Sequence, residues 1–246
     1  MAHSPHHADH PDPAQRVVLL DIDGTLIASN DAHARAWVAS LAEFGYEVSF
    51  ERVRPLIGKG GDKVLPELVG LDPDSTEARR MGDLRGEMFR TRELPHLSAT
   101  RGARDLLLRF RADGYELSVA TSARADDVKA TLEQAGVADL IETTTSSDDA
   151  ERSKPDPDIV RAALRRSRRP ASHAVMLGDT PYDIEAATRA GVRIVALRCG
   201  GYWSDAALRD AAAIYDDPAA LLARYDDSIF GARAWAGASR GASLVE

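Results

Sequence analysis

From Tyr115 onward, short apolar runs alternate with helix-length amphipathic segments, and the links between them are only a few residues long. The runs over 115–120, 140–143, 173–177, 192–197 and 212–215 read as strands. Helical patterns over 124–135, 157–167, 181–190, 204–209 and 218–225 separate and follow them, and another over 100–112 precedes them. Gly136 and Gly191 stand where a helix C-terminus favours glycine. Strands joined through helices predict an α/β layered fold with a mainly parallel sheet. Arg16-Val17-Val18-Leu19-Leu20 is one more buried-strand run. Between Leu26 and Pro95 no strand signal occurs. A helix over 30–44, with Asn30 as its expected N-cap, leads into a wholly helical stretch over 49–93. That stretch is punctuated by Gly58-Lys59-Gly60-Gly61 and Leu71-Asp72-Pro73-Asp74. The expected architecture is a Rossmann-like three-layer core over 15–29 and 97–230, with an all-helical cap over 30–96 inserted after the first strand.

The 246 residues suffice for a sizeable core without cross-links. Cys199 is the only cysteine, which excludes an internal disulfide and a cysteine-rich zinc site. Acidic residues outnumber basic ones 39 to 31, so the net charge of −8 argues against a nucleic-acid partner. No run approaches the roughly 18–20 apolar residues of a membrane span. Residues 1–14 carry His3, His6, His7 and His10 but no apolar signal segment, and read as a solvated tail. Residues 231–246, small-residue rich around Trp235, read as a second tail. A cytoplasmic monomer or homodimer is the default expectation.

Chemistry concentrates at the ends of the apolar runs. Asp21-Ile22-Asp23-Gly24-Thr25-Leu26 follows the first strand directly. Open α/β sheets bind ligands at such carboxyl ends, and strand alternation sets Asp21 and Asp23 on the same side. Gly24 lets the backbone turn and approach an anion. A second pair, Asp179 and Asp183, follows Ala174-Val175-Met176-Leu177-Gly178 at a spacing that shares one helix face. Helix capping explains the pair equally well on local grounds. Converging carboxylates repel unless a cation holds them, and an oxygen-only set suits Mg²⁺. Thr121 and Ser122 end another apolar run beside a helix start, where an anion or a plain cap fits. Only four of the 31 basic residues are lysines, and Lys154 lies in Ser153-Lys154-Pro155-Asp156-Pro157, a loop stiffened by two prolines.

The four elements, in this order, resemble the motifs of the haloacid dehalogenase superfamily over roughly residues 16–225. Asp21–Leu26 looks like the first motif, Thr121 the second and Lys154 the third. Gly178-Asp179-Thr180 with Asp183 looks like the fourth. His33-Ala34-Arg35-Ala36-Trp37 and Ile57-Gly58-Lys59-Gly60-Gly61 are similar to the helical cap of the phosphoglycolate phosphatase and β-phosphoglucomutase type. The resemblance implies a Mg²⁺-dependent phosphatase acting on a small-molecule phosphate ester, with Asp21 as nucleophile and Asp23 as acid and base. Asp21, Asp179 and the Asp23 backbone carbonyl would hold the metal, with Asp183 orienting that site. Thr121, Ser122, Lys154 and amides near Gly24 would bind the phosphoryl group, and Lys59 and Gly60 would form a cap substrate loop. Asp23 disfavours a metal-free dehalogenase. Gly61 and Gly178 replace the arginine and glutamate typical of the mutases. A phosphonoacetaldehyde hydrolase would need a cap lysine as Schiff base, and the sequence around Lys59 and Lys63 does not resemble theirs. A receiver-type signalling switch would be about half as long and ordered differently. A silent phospho-ligand binder is opposed by the full set of catalytic positions. Cys199, with no histidine near it in sequence, reads as a packed residue.

Overall fold

The computed structural model describes residues 16–231; the expected tail over 1–14, and all of the one over 231–246 except Gly231, lie outside the described residues. β1 (Val17–Leu20) is followed by the helices α1 (Asn30–Glu43), α2 (Phe50–Val53), α3 (Gly61–Val69) and α4 (Thr76–Met88). Then come α5 (Ala103–Ala112), β2 (Glu116–Ala120), α6 (Ala125–Gln134), β3 (Thr143–Thr145), α7 (Asp158–Ser167) and β4 (Ala174–Gly178). The chain continues through α8 (Pro181–Arg189), β5 (Arg193–Leu197), α9 (Asp205–Leu208), β6 (Ala213–Tyr215) and α10 (Pro218–Ala223).

The six strands form one sheet in the order β3-β2-β1-β4-β5-β6, and every pairing is parallel. Such a sheet is buried on both faces, so its strands are apolar throughout and alternate residues feed two different cores. Val17 and Leu19 join Ile159, Val160, Ala163, Met176 and Ile184 on one side. Val18 and Leu20 join Leu106, Phe110, Leu117, Val175 and Tyr225 on the other. From β1 the chain moves outward to β2 and β3, then returns to β4 on β1's other flank. Neighbouring strands whose connections diverge leave a crevice at their carboxyl ends. Asp21 follows one of those strands and Asp179 the other.

The inserted helices have a core of their own, with Trp37, Leu41, Val53, Val64, Leu65 and Met81 buried together. The two chain crossings that join them to the sheet run side by side. Ile27 bridges Ala99, and the Ala28 N–H donates to the Ser98 carbonyl at 3.1 Å. Within the expected helical stretch, Arg54–Leu56 is a 3-10 turn and Phe89–Glu93 a π-helical one. No helix among the described residues is long and apolar enough to cross a membrane.

Three details depart from the sequence expectation. The strand expected over 140–143 forms instead at Thr143–Thr145, after a 3-10 turn at Ala138–Leu140. Leu140 is buried from that turn, so its apolar signal belongs to the core beneath the edge strand. The helix expected over 204–209 is a single turn, Asp205–Leu208. Ser29, not Asn30, occupies the N-cap position of α1, and the Asn30 side chain is used elsewhere.

Phe110 is fully buried, with its ring centroid 4.6 Å from Phe230 and 5.8 Å from Tyr115 and Tyr225. Phe110→Ala is expected to cost about 3–5 kcal/mol in chemical denaturation, the range for aromatic truncation in a packed core. A loss below about 1 kcal/mol would contradict this packing.

Candidate active site

β1 ends at Leu20, and one further ladder contact, the Asp21 N–H to the Leu177 carbonyl at 2.9 Å, fixes the start of the following turn. Ile22 points into the core and is fully buried. Its neighbours Asp21 and Asp23 therefore face the same way, and both line one cavity. After β4, Thr180 and Asp183 form a capping box on α8. The Thr180 Oγ1 accepts from the Asp183 N–H at 3.2 Å, while the Asp183 Oδ2 accepts from the Thr180 N–H at 3.0 Å. The capping reading of Asp183 is therefore correct, and it consumes only one carboxylate oxygen. The other, Oδ1, accepts from Lys154 Nζ at 2.6 Å. The same ammonium donates to Asp21 Oδ1 at 2.6 Å. Lys154 is fully buried and its peptide bond to Pro155 is cis.

One carboxylate oxygen each from Asp21, Asp179 and Asp183 lies within 4.8 Å of the others, and all three residues are buried. If all are ionised, three carboxylates and one ammonium leave a surplus of two negative charges in a buried pocket. Burial pushes the Asp21 carboxyl up to about 8; Lys154 opposes this, and Asp183 and Asp23 add to it. Burial, Asp183 and Asp21 likewise raise Asp179 well above the usual carboxylate range. Lys154 is held charged, because Asp183 and Asp21 outweigh the effect of burial. Asp23 is different. Burial works against its ionisation, but His33, Ser29 and Arg85 outweigh it and hold the carboxyl below its ordinary range. Its Oδ1 is 2.8 Å from His33 Nε2 and accepts from Ser29 Oγ at 2.5 Å.

The residues present fit a hard divalent cation. The donors are all oxygens, which suits such an ion. A cation of charge two would neutralise the surplus. Asn30 Nδ2 donates to Asp179 Oδ2 at 2.7 Å, while Asn30 Oδ1 is buried without a partner among the described residues. Gly24 and Gly200 leave the space that Asp179 uses: a Cβ on either would collide with its carboxylate. Gly24 also has φ +77°, a conformation only glycine adopts freely.

The cavity that Asp21 and Asp23 line has a volume of about 460 Å³, counting the part open to solvent. Thr121, Ser122, Lys59, Gly60 and Arg85 share its wall. Thr121 Oγ1 accepts from the Ala123 N–H at 3.1 Å, and Ser122 Oγ from the Lys154 N–H at 3.3 Å, so both also shape the loops they sit on. Two expected binding groups have other partners. The Gly24 N–H is donated to the Ile27 carbonyl at 2.8 Å, so this residue contributes clearance in place of a phosphate contact. The Gly60 N–H is donated to Ser153 Oγ at 2.9 Å. Lys59 pairs with Glu67 at 2.5 Å and lies over the Tyr182 ring.

Asn30, His33 and Arg85 adjoin the acidic residues, and the sequence alone assigned them no part in the site. Asn30 and His33 are three apart on the first turn of α1 and share a face, which was the available signal. Arg85 gave none: it arrives from α4 and meets His33 Nδ1 at 3.3 Å and Asp127 at 3.2 Å.

A family model described as haloacid dehalogenase-like hydrolase matches residues 18–197, and the chain belongs to this family. A phosphoglycolate phosphatase from Rhodospirillum rubrum is 32% identical over 216 residues, 84% of this chain and 89% of its own length. A pyrophosphatase, PpaX, from Bacillus velezensis is 26% identical over 177 residues, 72% of this chain and 80% of its own. The crystal structure of a hydrolase from Pseudomonas syringae matches with a TM-score of 0.79 at 27% identity, over 87% of this chain and 99% of that one. The chain is thus a phosphoric monoester hydrolase of this superfamily.

Cys199 Sγ donates to the Gly24 carbonyl at 3.2 Å, and burial, then Asp179 and Asp217, push the thiol up to about 12. At pH 8 only about one thiol in ten thousand is ionised at such a pKa. Iodoacetamide should therefore label Cys199 roughly a thousandfold more slowly in the folded protein than in urea. Equal labelling rates would contradict the half-buried, protonated thiol.

Proposed function

We propose that this chain is a Mg²⁺-dependent phosphatase that hydrolyses a small-molecule phosphomonoester through an aspartyl-phosphate on Asp21. The observation that carries this reading is the division of labour between two acids two residues apart. Asp21 lies among the carboxylates, touched by Lys154, while Asp23 is held apart by His33 and Ser29. A nucleophile and a proton shuttle need different surroundings, and a bound dication would return Asp21, which burial pushes toward its neutral form, to the carboxylate that attacks.

Asp21 attacks phosphorus, and the bond to the leaving oxygen breaks as that oxygen takes a proton from Asp23. Asp23 then removes a proton from water, which attacks the acyl phosphate and releases inorganic phosphate and free Asp21. The partners of Asp23 favour its carboxylate, which suits the second half. In the first half Asp23 must carry a proton, and His33 Nε2 lies within hydrogen-bond reach of its Oδ1 at 2.8 Å. Lys154 offsets repulsion between Asp21 and the incoming dianion, and with Thr121 and Ser122 it steadies the phosphoryl oxygens as charge shifts. Bound through Asp21, Asp179 and the Asp23 carbonyl, with Asp183 orienting the set, Mg²⁺ would add positive charge where phosphoryl oxygens gather. The inserted helices close over the site and exclude bulk water.

Phosphoglycolate, inorganic pyrophosphate, hexose phosphates and nucleoside monophosphates, each with Mg²⁺ and with EDTA, make the test panel. Release dependent on Mg²⁺ and concentrated on one compound is expected. Slow isomerisation of glucose 1-phosphate without release would favour a mutase instead. Asp21→Asn is expected to keep the fold, by circular dichroism and Tm, and to lose activity. More than a few per cent of the Mg²⁺-dependent rate remaining in this variant would overturn the assignment.

A further inference from the structure

We propose that Asn30 is a positioning residue for the cation: its amide fixes the Asp179 carboxylate and offers a second oxygen to water carried by the ion. The inference rests on the cation dependence proposed above. Asn30 is the first residue of α1, where a side chain ordinarily serves its own helix. Here it turns away. Nδ2 donates to Asp179 Oδ2 at 2.7 Å and to the Gly200 carbonyl at 3.3 Å. Asn30 is 4% exposed, and Oδ1 has no hydrogen-bond partner among the described residues. An unpaired buried amide oxygen is costly, and hydration water of a cation would satisfy it. The surroundings are built for this placement. A Cβ at Gly24 or at Gly200 would press on both the Asn30 amide and the Asp179 carboxylate.

The Gly200 carbonyl also accepts from Arg54 Nη2, on the 3-10 turn that follows α2. Two residues of the helical insertion thus converge on the loop beside Asp179. Cation affinity and the seating of the insertion are therefore linked through Asn30, and linkage of this kind is reciprocal.

The test measures Mn²⁺ binding by electron paramagnetic resonance, with Mg²⁺ as competitor, on the intact protein. The wild type should bind, and Asn30→Ala should bind at least about tenfold more weakly, as is typical when a ligand's hydrogen-bond partner is removed. Its Tm in EDTA should stay within about 2 °C of the wild type. Asn30→Asp guards against a purely structural effect. It removes the donor to Asp179 and adds a fourth carboxylate, so its Tm should fall in EDTA and recover on adding Mg²⁺ by more than the wild type gains. Unchanged Mn²⁺ affinity in Asn30→Ala, or an equal Tm loss in Asn30→Asp with and without Mg²⁺, would overturn the proposal. If the wild type binds neither ion, it is the cation reading of the whole site that falls.

Discussion

The ammonium of Lys154, 2.6 Å from both Asp21 and Asp183, is the contact on which the arrangement of this site depends. Three buried carboxylates within 4.8 Å of one another repel strongly, and burial penalises each of their charges. One lysine offsets a single charge. Burial first, and the remaining repulsion after it, push Asp21 and Asp179 toward their neutral forms. A removed partner would leave an uncompensated buried charge, which is far more costly than a lost surface pair. The parallel sheet makes the cluster possible. Its return from β3 to β4 puts Asp21 and Asp179 on adjacent strand ends, above strands that are buried throughout.

The helical insertion is tied to this cluster at several points. Asn30 reaches Asp179, and Arg54 reaches Gly200. At the start of α3, Asp62 accepts from the Ser153 N–H at 3.1 Å and from its hydroxyl, while Lys63 pairs with Asp156 at 2.8 Å. Ser153 and Asp156 flank Lys154 on either side. Tyr182 Oη, on α8, donates to the Pro55 carbonyl at 2.7 Å. The insertion therefore grips the loops that carry Lys154 and Asp179, and the structure shows it seated on the sheet. Through His33, it also supplies the partner that keeps Asp23 in a different electrostatic setting from Asp21.

Much of this was legible in the residues because it is encoded locally. An apolar strand that stops at an acid is visible in four or five letters, and so are Asp21, Asp23, Asp179 and the proline-fixed Lys154. The helical character of the insertion and the parallel sheet followed from periodicity. What escaped the reading depends on contacts between distant segments. Asn30 is of a residue type favoured at an N-cap, yet Ser29 takes that position and the Asn30 amide reaches Asp179, 149 positions away. Gly24 promised a phosphate contact, but the turn it permits returns its N–H to Ile27. Asp183 caps its helix with one carboxylate oxygen and meets Lys154 with the other, and nothing in a linear sequence says how the two are shared. The edge strand slid to Thr143–Thr145 because an edge needs less apolar cover than a central strand, so Leu140 marked the core and not the ladder.

The central claim is that Asp21 itself becomes phosphorylated. Its most direct test is to acid-quench the enzyme during turnover with Mg²⁺ and the best substrate of the panel, reduce it with borohydride and map the peptides by mass spectrometry. An acyl phosphate is reduced to an alcohol, whereas a free carboxylate is not. The account predicts reduction confined to Asp21 and dependent on substrate. Reduction at another acid, or none at Asp21 while phosphate is being released, would contradict it.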